Sequence, residues 1–288
     1  MKRVLILGST GFIGKNLSEA LKNHADIDLY CPTSYELNVL NFGELRRYLE
    51  LNVFDVVINA LDRKLNTQEP NAWSVYVQEK LMMFQNIFNC AELYGKMLYF
   101  GTGAEYDRSL PIIKIKEKNF GRSVPADPYG FVMYTISELA SNKKNITNFR
   151  LFGIWGKYED YTRRLFSNVI YQALSNKEII LKQNAVFDYL HIDDLCKMVQ
   201  YYIFNEMNEK FYNAGGGHQQ ELLSIANTIS SILGNIPIRV QMQGFNKQYT
   251  ADSQLLYNEI KIESSNWEDK IKNLISFYEE ILGDITGD

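Results

Sequence analysis

The chain alternates short, largely apolar runs with longer stretches in which apolar residues recur every three or four positions. The runs are Val4 to Leu7, Ile27 to Cys31, Phe54 to Ala60, Met97 to Phe100, Asn148 to Phe152 and Tyr212 to Ala214. Short runs without polar alternation read as strands buried on both faces, the habit of parallel sheets. Helical spacing lies between them: from Phe12 or Ile13 through Leu17 and Leu21, from Leu45 to Leu51, from about Trp73 to Tyr94, after Asp127-Pro128, and from Leu195 to Phe204. Residues 107–126 read as a polar excursion. Further helices are expected over Leu222 to Leu233, Leu255 to Ile260 and Trp267 to Ile281. Strands alternating with amphipathic helices predict an α/β chain with a doubly wound parallel sheet and helices on both faces.

Composition narrows the function without naming it. With 288 residues, 46% hydrophobic, the chain can bury a large core and suits one domain or a domain with a smaller lobe. A net charge of −4 argues against nucleic acid as a partner. No apolar run is long enough to span a bilayer and no leader precedes Val4, so a cytoplasmic protein without a membrane partner is expected. Cys31, Cys90 and Cys196 are scattered and odd in number, which suggests neither a disulfide framework nor a metal site. His191 and His218 are expected to pack or cap.

Chemistry enters at the first turn. After Val4 to Leu7 come Gly8, Ser9, Thr10, Gly11, Phe12, Ile13 and Gly14, with glycines at every third position. In a strand–turn–helix, Gly8 permits the tight turn, Gly11 lets the backbone approach a pyrophosphate, and Gly14 lets helix and strand pack closely. The helix N-terminus then offers unpaired amides to phosphate. Dinucleotide binding is therefore expected. Ala60 and Leu61, at the end of a later strand, should lie beside the same ligand, because ligands gather at the carboxyl ends of such strands. An acidic residue often follows the second strand where the ribose 2′-hydroxyl is bound. Here Cys31-Pro32-Thr33-Ser34 stands there instead, which tilts the expectation towards NADP over NAD.

The stretch from Val4 to Gly14 resembles the first βα unit of the short-chain dehydrogenase/reductase superfamily, in its extended, sugar-nucleotide-modifying branch. The resemblance continues through Gly101 to Tyr106, Tyr129, Asn148 to Gly156, Phe187 to Asp194, Tyr249 to Ser253 and Trp267 to Asp269, almost the full length. It implies a Rossmann domain over 1–152 and 186–214, and a substrate-binding lobe over 153–185 and 215–288. Thr102 and Tyr129 take the places of the catalytic threonine and tyrosine. Gly8 through Gly14, Thr33, Asn38, Val39, Ala60, Leu61 and Tyr129 fall where relatives touch the dinucleotide. Ala104, Glu105, Arg163, Arg164 and Asn168 fall where substrate is held, the two arginines as clamps on its diphosphate. The resemblance also implies a homodimer in which the helix from Trp73 contributes to a four-helix interface.

Four positions depart from the pattern. The lysine four residues after the tyrosine is Met133, the serine before it is Val132, the arginine of the lobe segment is Phe187, and Lys80 replaces an asparagine. A thioether can neither hold a ribose nor lower a tyrosine pKa. The expected activity is that of an NAD(P)-dependent enzyme on a nucleotide-activated sugar, foremost a 4-keto reductase, which needs Tyr129 only as an acid. A C4 epimerase, which also needs a base, is the alternative. A catalytically weak relative that keeps the dinucleotide as a structural or sensing ligand is another. A 4,6-dehydratase would need an Asp-Glu pair where Gly103-Ala104 stands, and the cysteine base of an epimerising branch would fall at Ala104.

Overall fold

The computed structural model describes residues 1–63, 65, 68–176, 178–262 and 266–286. In chain order the strands are β1 (Lys2–Leu7), β2 (Ile27–Tyr30), β3 (Phe54–Asn59), β4 (Tyr94–Thr102), β5 (Ile112–Ile115), β6 (Ile146–Leu151) and β7 (Ile154–Trp155). There follow β8 (Ile179–Asn184), β9 (Val186–Asp188), β10 (Leu190–His191), β11 (Phe211–Ala214), β12 (Gln219–Glu221), β13 (Ile238–Phe245) and β14 (Tyr249–Ala251). The helices are α1 (Phe12–Leu21), α2 (Phe42–Leu51), α3 (Ala72–Asn89), α4 (Pro128–Ala140), α5 (Leu165–Asn176), α6 (Ile192–Phe204), α7 (Leu222–Ile232), α8 (Gln254–Glu259) and α9 (Trp267–Thr286).

Six strands form one parallel sheet in the order β11-β6-β4-β3-β1-β2. Its strands are covered on both faces, in keeping with their largely hydrophobic runs. One face packs on α1, α6 and α8 through Leu17, Leu195, Val199 and Leu256. The other packs on α2, α3 and α4 through Leu45, Phe84, Ile87 and Ile136. Strand order reverses between β1 and β3, and a doubly wound sheet opens its ligand crevice at such a switch, above the carboxyl ends of the strands. A separate core, holding Trp155, Phe166, Ile170, Ile225, Ile229 and Leu274, lies among α5, α7, α9 and β8.

Several elements differ from the sequence expectation. α3 stops at Asn89 rather than Tyr94, because Ala91–Leu93 makes a 3-10 turn and Tyr94 pairs in register with Phe54 as the start of β4. The polar excursion contains β5, which pairs with β14 in a small four-stranded sheet. α8 was expected in the smaller lobe, yet Leu256 and Ile260 insert into the core of the large sheet. β13 was not foreseen: it pairs with β8 while its own side chains stay mostly exposed, so it carries no hydrophobic alternation.

Candidate active site

The glycine turn is built as its spacing demands, with three different reasons for three glycines. Gly8 has φ +84° and lies against the end of β3, where a Cβ would come within 2.7 Å of the Ala60 carbonyl. A Cβ on Gly14 would sit 2.1 Å from the Gly8 carbonyl, so close packing of α1 on the turn excludes any side chain. Gly11 is different. It has an ordinary extended backbone, and the nearest atom to a Cβ would be the Gly8 oxygen at 3.4 Å. Among the described residues no other atom lies within 4 Å of that Cβ, which leaves room for a close-approaching ligand. No side chain caps the N-terminus of α1, which leaves the first-turn dipole and amides for an anion. The residues present therefore fit a dinucleotide pyrophosphate. Ser9 is buried and donates to the carbonyls of Cys31 and Pro32, tying this turn to the end of β2, while Thr10 is exposed. Phe12 and Ile13 pack on the sheet core.

At the end of β2, Thr33 meets Glu36. One carboxylate oxygen of Glu36 accepts from the Thr33 amide at 2.8 Å and from its hydroxyl at 2.9 Å, which holds that acid below its ordinary range. An acid absent from the strand end in sequence is thus returned there by the turn. The argument for a 2′-phosphate from a missing carboxylate loses force accordingly. Asn38 caps its own loop by accepting from the Leu40 amide, and Val39 is buried, its carbonyl held by Asn86.

Thr102, Tyr129 and Tyr249 meet at the carboxyl end of β4. Asp127 caps α4 by accepting from the Gly130 amide at 2.9 Å, with Pro128 in the first turn, and this sets the direction of Tyr129. The Thr102 hydroxyl stands beside the Tyr129 phenol, favouring its ionised form, and lies 3.4 Å from the Tyr249 phenol. Burial, joined by the charge of Asp62, pushes the Tyr129 phenol up to about 12, against the smaller opposing effects of Thr102 and Arg164. Arg108 stacks over the Tyr129 ring at 5.8 Å from its centroid and pairs with Asp127. Tyr249 comes from β14, 147 residues beyond Thr102; its stretch carried the resemblance, but no site role was expected of it. Its ring packs on Phe152 and Phe187, with centroids 4.9 Å and 5.6 Å apart.

Other expected site residues fall differently. Glu105 does not face the cleft. It is wholly buried, pairs with buried Arg150 at 2.6 Å, and accepts from the Thr102 amide at 3.0 Å and the Ser137 hydroxyl at 2.5 Å. The 3-10 turn Gly103–Tyr106 rolls this side chain inward, where it fixes the backbone under Thr102. Ala104 is buried beside it. Arg163 and Arg164 are both exposed, and the charge of Arg164 reaches Tyr129. Asn168 uses its amide on the carbonyl of Tyr161 and its oxygen on Gln172. Phe187 lies in the aromatic layer with Tyr189 and Tyr249. Met133 is 2% exposed and sits one helical turn after Tyr129, on the same face of α4. Among the described residues no group of histidine, cysteine and carboxylate side chains could hold a metal, and no helix is long and apolar enough to cross a membrane.

A doubly wound sheet with a glycine turn at its switch point and a tyrosine–threonine pair beside it defines a dinucleotide-binding α/β protein. The chain belongs to the NAD dependent epimerase/dehydratase family, whose model matches residues 4–215. It is 21% identical over 259 residues to the ADP-L-glycero-D-manno-heptose-6-epimerase of Brachyspira hyodysenteriae, covering 80% of each protein. Among solved structures it resembles a GDP-D-glycero-L-gluco-heptose synthase of Campylobacter jejuni determined with NADPH. That likeness has a TM-score of 0.83 at 16% identity and covers 97% of this chain and 98% of the other. A GDP-mannoheptose C4 reductase of the same organism, with NADP bound, gives 0.80 at 17% identity over 96% and 98%. Likenesses this distant establish the shared fold.

Proposed function

We propose that the chain is an NAD(P)-dependent enzyme that reduces a 4-keto group on a nucleotide-activated sugar. The feature that carries the reading is the placement of Tyr129, whose phenol stands beside Thr102 in a setting where burial and the charge of Asp62 disfavour the phenolate. A phenol pushed up to about 12 holds its proton throughout the neutral range, which suits an acid and not a base. With the pyrophosphate held at the glycine turn, a bound dihydronicotinamide would supply the hydride for the carbonyl carbon. Thr102 and Tyr129 orient the carbonyl oxygen, and Tyr129 gives that oxygen its proton. The alkoxide being formed is more basic than a phenolate, so the transfer runs downhill even from a weak phenolic acid. The phenolate is then reprotonated from solvent.

Two features weigh against the competing reactions. An epimerase must first remove a hydroxyl proton, and burial together with Asp62 opposes the phenolate that would take it. A dehydratase aspartate at position 103 has no space: a Cβ there would lie 2.4 Å from the Phe152 ring and 2.4 Å from the Tyr249 phenolic oxygen. The test is to mix the protein with NADPH or NADH and a panel of 4-keto sugar nucleotides and to follow oxidation of the reduced cofactor by its absorbance. The reading expects consumption that Tyr129→Phe abolishes. Brisk C4 epimerisation without net cofactor turnover, or full activity in Tyr129→Phe, overturns it.

A further inference from the structure

A small cavity lies between α3, α4 and the carboxyl ends of β3 and β4. Lys80 and Met133 line it from the two helices, and Asn59, Leu61 and Phe100 line it from the strand ends. The helices face each other in matched turns. Tyr76 and Lys80 are one turn apart on α3, and Tyr129 and Met133 are one turn apart on α4. The rings of Tyr76 and Tyr129 are 6.3 Å apart, and one turn further along Lys80 and Met133 share the cavity.

Lys80 is well fixed for so flexible a side chain. Its ammonium donates to the Leu61 carbonyl at 2.6 Å and to Asp62 at 3.1 Å, on the same carboxylate oxygen that accepts from the Tyr76 phenol at 3.0 Å. The lysine side chain is 12% exposed, whereas Asp62 is 64% exposed. An ammonium carries three donors, and described residues take two of them. Holding a cation out of water at a strand end is costly, and a largely solvated carboxylate compensates it only in part. Tethering the segment after β3 needs no such burial, since an exposed lysine would serve.

We infer that Lys80 supplies from α3 the cation that Met133 leaves absent from α4, donating to the ribose hydroxyls in the nicotinamide half of a dinucleotide bound above β3 and β4. This rests on the dinucleotide reading under Proposed function. Lys80 shares its cavity with Met133, one turn from Tyr129, which places the ammonium on the side of the proposed proton donor, where the nicotinamide half would lie. Asp62 and Tyr76 act as positioning residues, because they hold the lysine rather than the ligand.

The test is calorimetric, with no catalytic step. NADPH and NADH are titrated into wild type, Lys80→Met, Met133→Lys and the double variant Lys80→Met/Met133→Lys. ADP and adenosine 2′,5′-bisphosphate, which lack the nicotinamide ribose, are titrated in parallel. Lys80→Met is expected to weaken both dinucleotides about tenfold or more, the scale of one charge-assisted hydrogen bond, with the adenosine fragments unchanged. The double variant is expected to regain most of that affinity by placing the ammonium on the opposite wall. Lys80→Gln, which keeps a donor for the Leu61 carbonyl, is measured beside it and gives the same split if Lys80→Met does not fold. Equal weakening of dinucleotides and fragments, no weakening, or no recovery in the double variant overturns the assignment. Wild type that binds the fragments but neither dinucleotide overturns the functional reading itself.

Discussion

Replacing Glu105 by glutamine should be among the most damaging single changes in this chain, although the two side chains have nearly the same shape. The carboxylate is wholly buried and lies 2.6 Å from the Nε of Arg150, itself 1% exposed. Glutamine keeps an oxygen for the Thr102 amide but removes the charge that balances the guanidinium. Breaking one side of a buried pair typically costs about 3–5 kcal/mol, because the remaining ion is left uncompensated. Arg150 retains some help: its guanidinium lies 4.4 Å from the centroid of Phe120, 4.9 Å from Phe211 and 5.3 Å from Tyr106. Such contacts offset ~1 kcal/mol or so, which places the expected loss near the lower end, about 3 kcal/mol. At roughly 3 °C per kcal/mol for a domain of this size, the thermal midpoint should fall by about 10 °C. Urea unfolding is the assay, with the midpoint shifting at constant slope. A cycle with Arg150→Leu should return a coupling of about 1–3 kcal/mol, since the double variant buries no unpaired charge. A Glu105→Gln protein within ~1 kcal/mol of wild type would refute the reasoning, for that value belongs to a solvated pair.

The glycine turn gives a paired prediction. Gly11→Ala should leave thermal stability unchanged, its Cβ being 3.4 Å from the nearest atom, and lose dinucleotide binding by calorimetry; Gly14→Ala, 2.1 Å from a backbone carbonyl, should lose folded protein as well. Glu159 is pushed up to about 7 from an ordinary 4.5, by burial first of all, so the native state keeps a proton that the unfolded chain releases between those values. Stability should therefore fall as pH rises through that window and level off above it, by up to about 3 kcal/mol at ~1.36 kcal/mol per pH unit. Glu159→Gln should flatten the profile, and an unchanged slope in that variant would assign the pH dependence to other groups. A homodimer on α3 and α4 is expected from Met82 and Phe131, which are 39% and 45% exposed on those helices. Sedimentation equilibrium should give twice 33.4 kDa, and Phe131→Glu should shift the mass towards one chain.

What the sequence disclosed about this molecule follows from how far each signal reaches along the chain. The glycine turn, the strand runs and the Asp127-Pro128 cap are local: each needs about ten residues, and each sets its own geometry through backbone allowance or side-chain period. They were legible, and with them the doubly wound sheet. Glu105 was expected at the substrate and lies inside, because one 3-10 turn decides whether that side chain faces the cleft or Arg150, 45 residues on. α8 shows the same limit at the level of packing. Its apolar spacing announces a helix, but nothing in Leu255 to Ile260 says which of two cores will receive it.

The candidate site combines both kinds of information, and the long-range part changes the chemistry inferred from the local part. Taken along the chain, Met133 is a lost lysine, a missing carboxylate follows β2, and Lys80 is an isolated oddity on another helix. Taken in space, Lys80 and Met133 line one cavity and Glu36 returns an acid to Thr33. A site assembled from strand ends does not require a given charge to come from a given helix, since α3 and α4 approach the same crevice from adjoining positions on one face of the sheet. What it requires is a cation within reach of the ligand and a partner that keeps the cation in place. Lys80, held by Leu61 and Asp62, meets that requirement on a different helix. A substitution that looks disabling in one motif is therefore weak evidence of lost function until every side chain lining the same cavity has been counted.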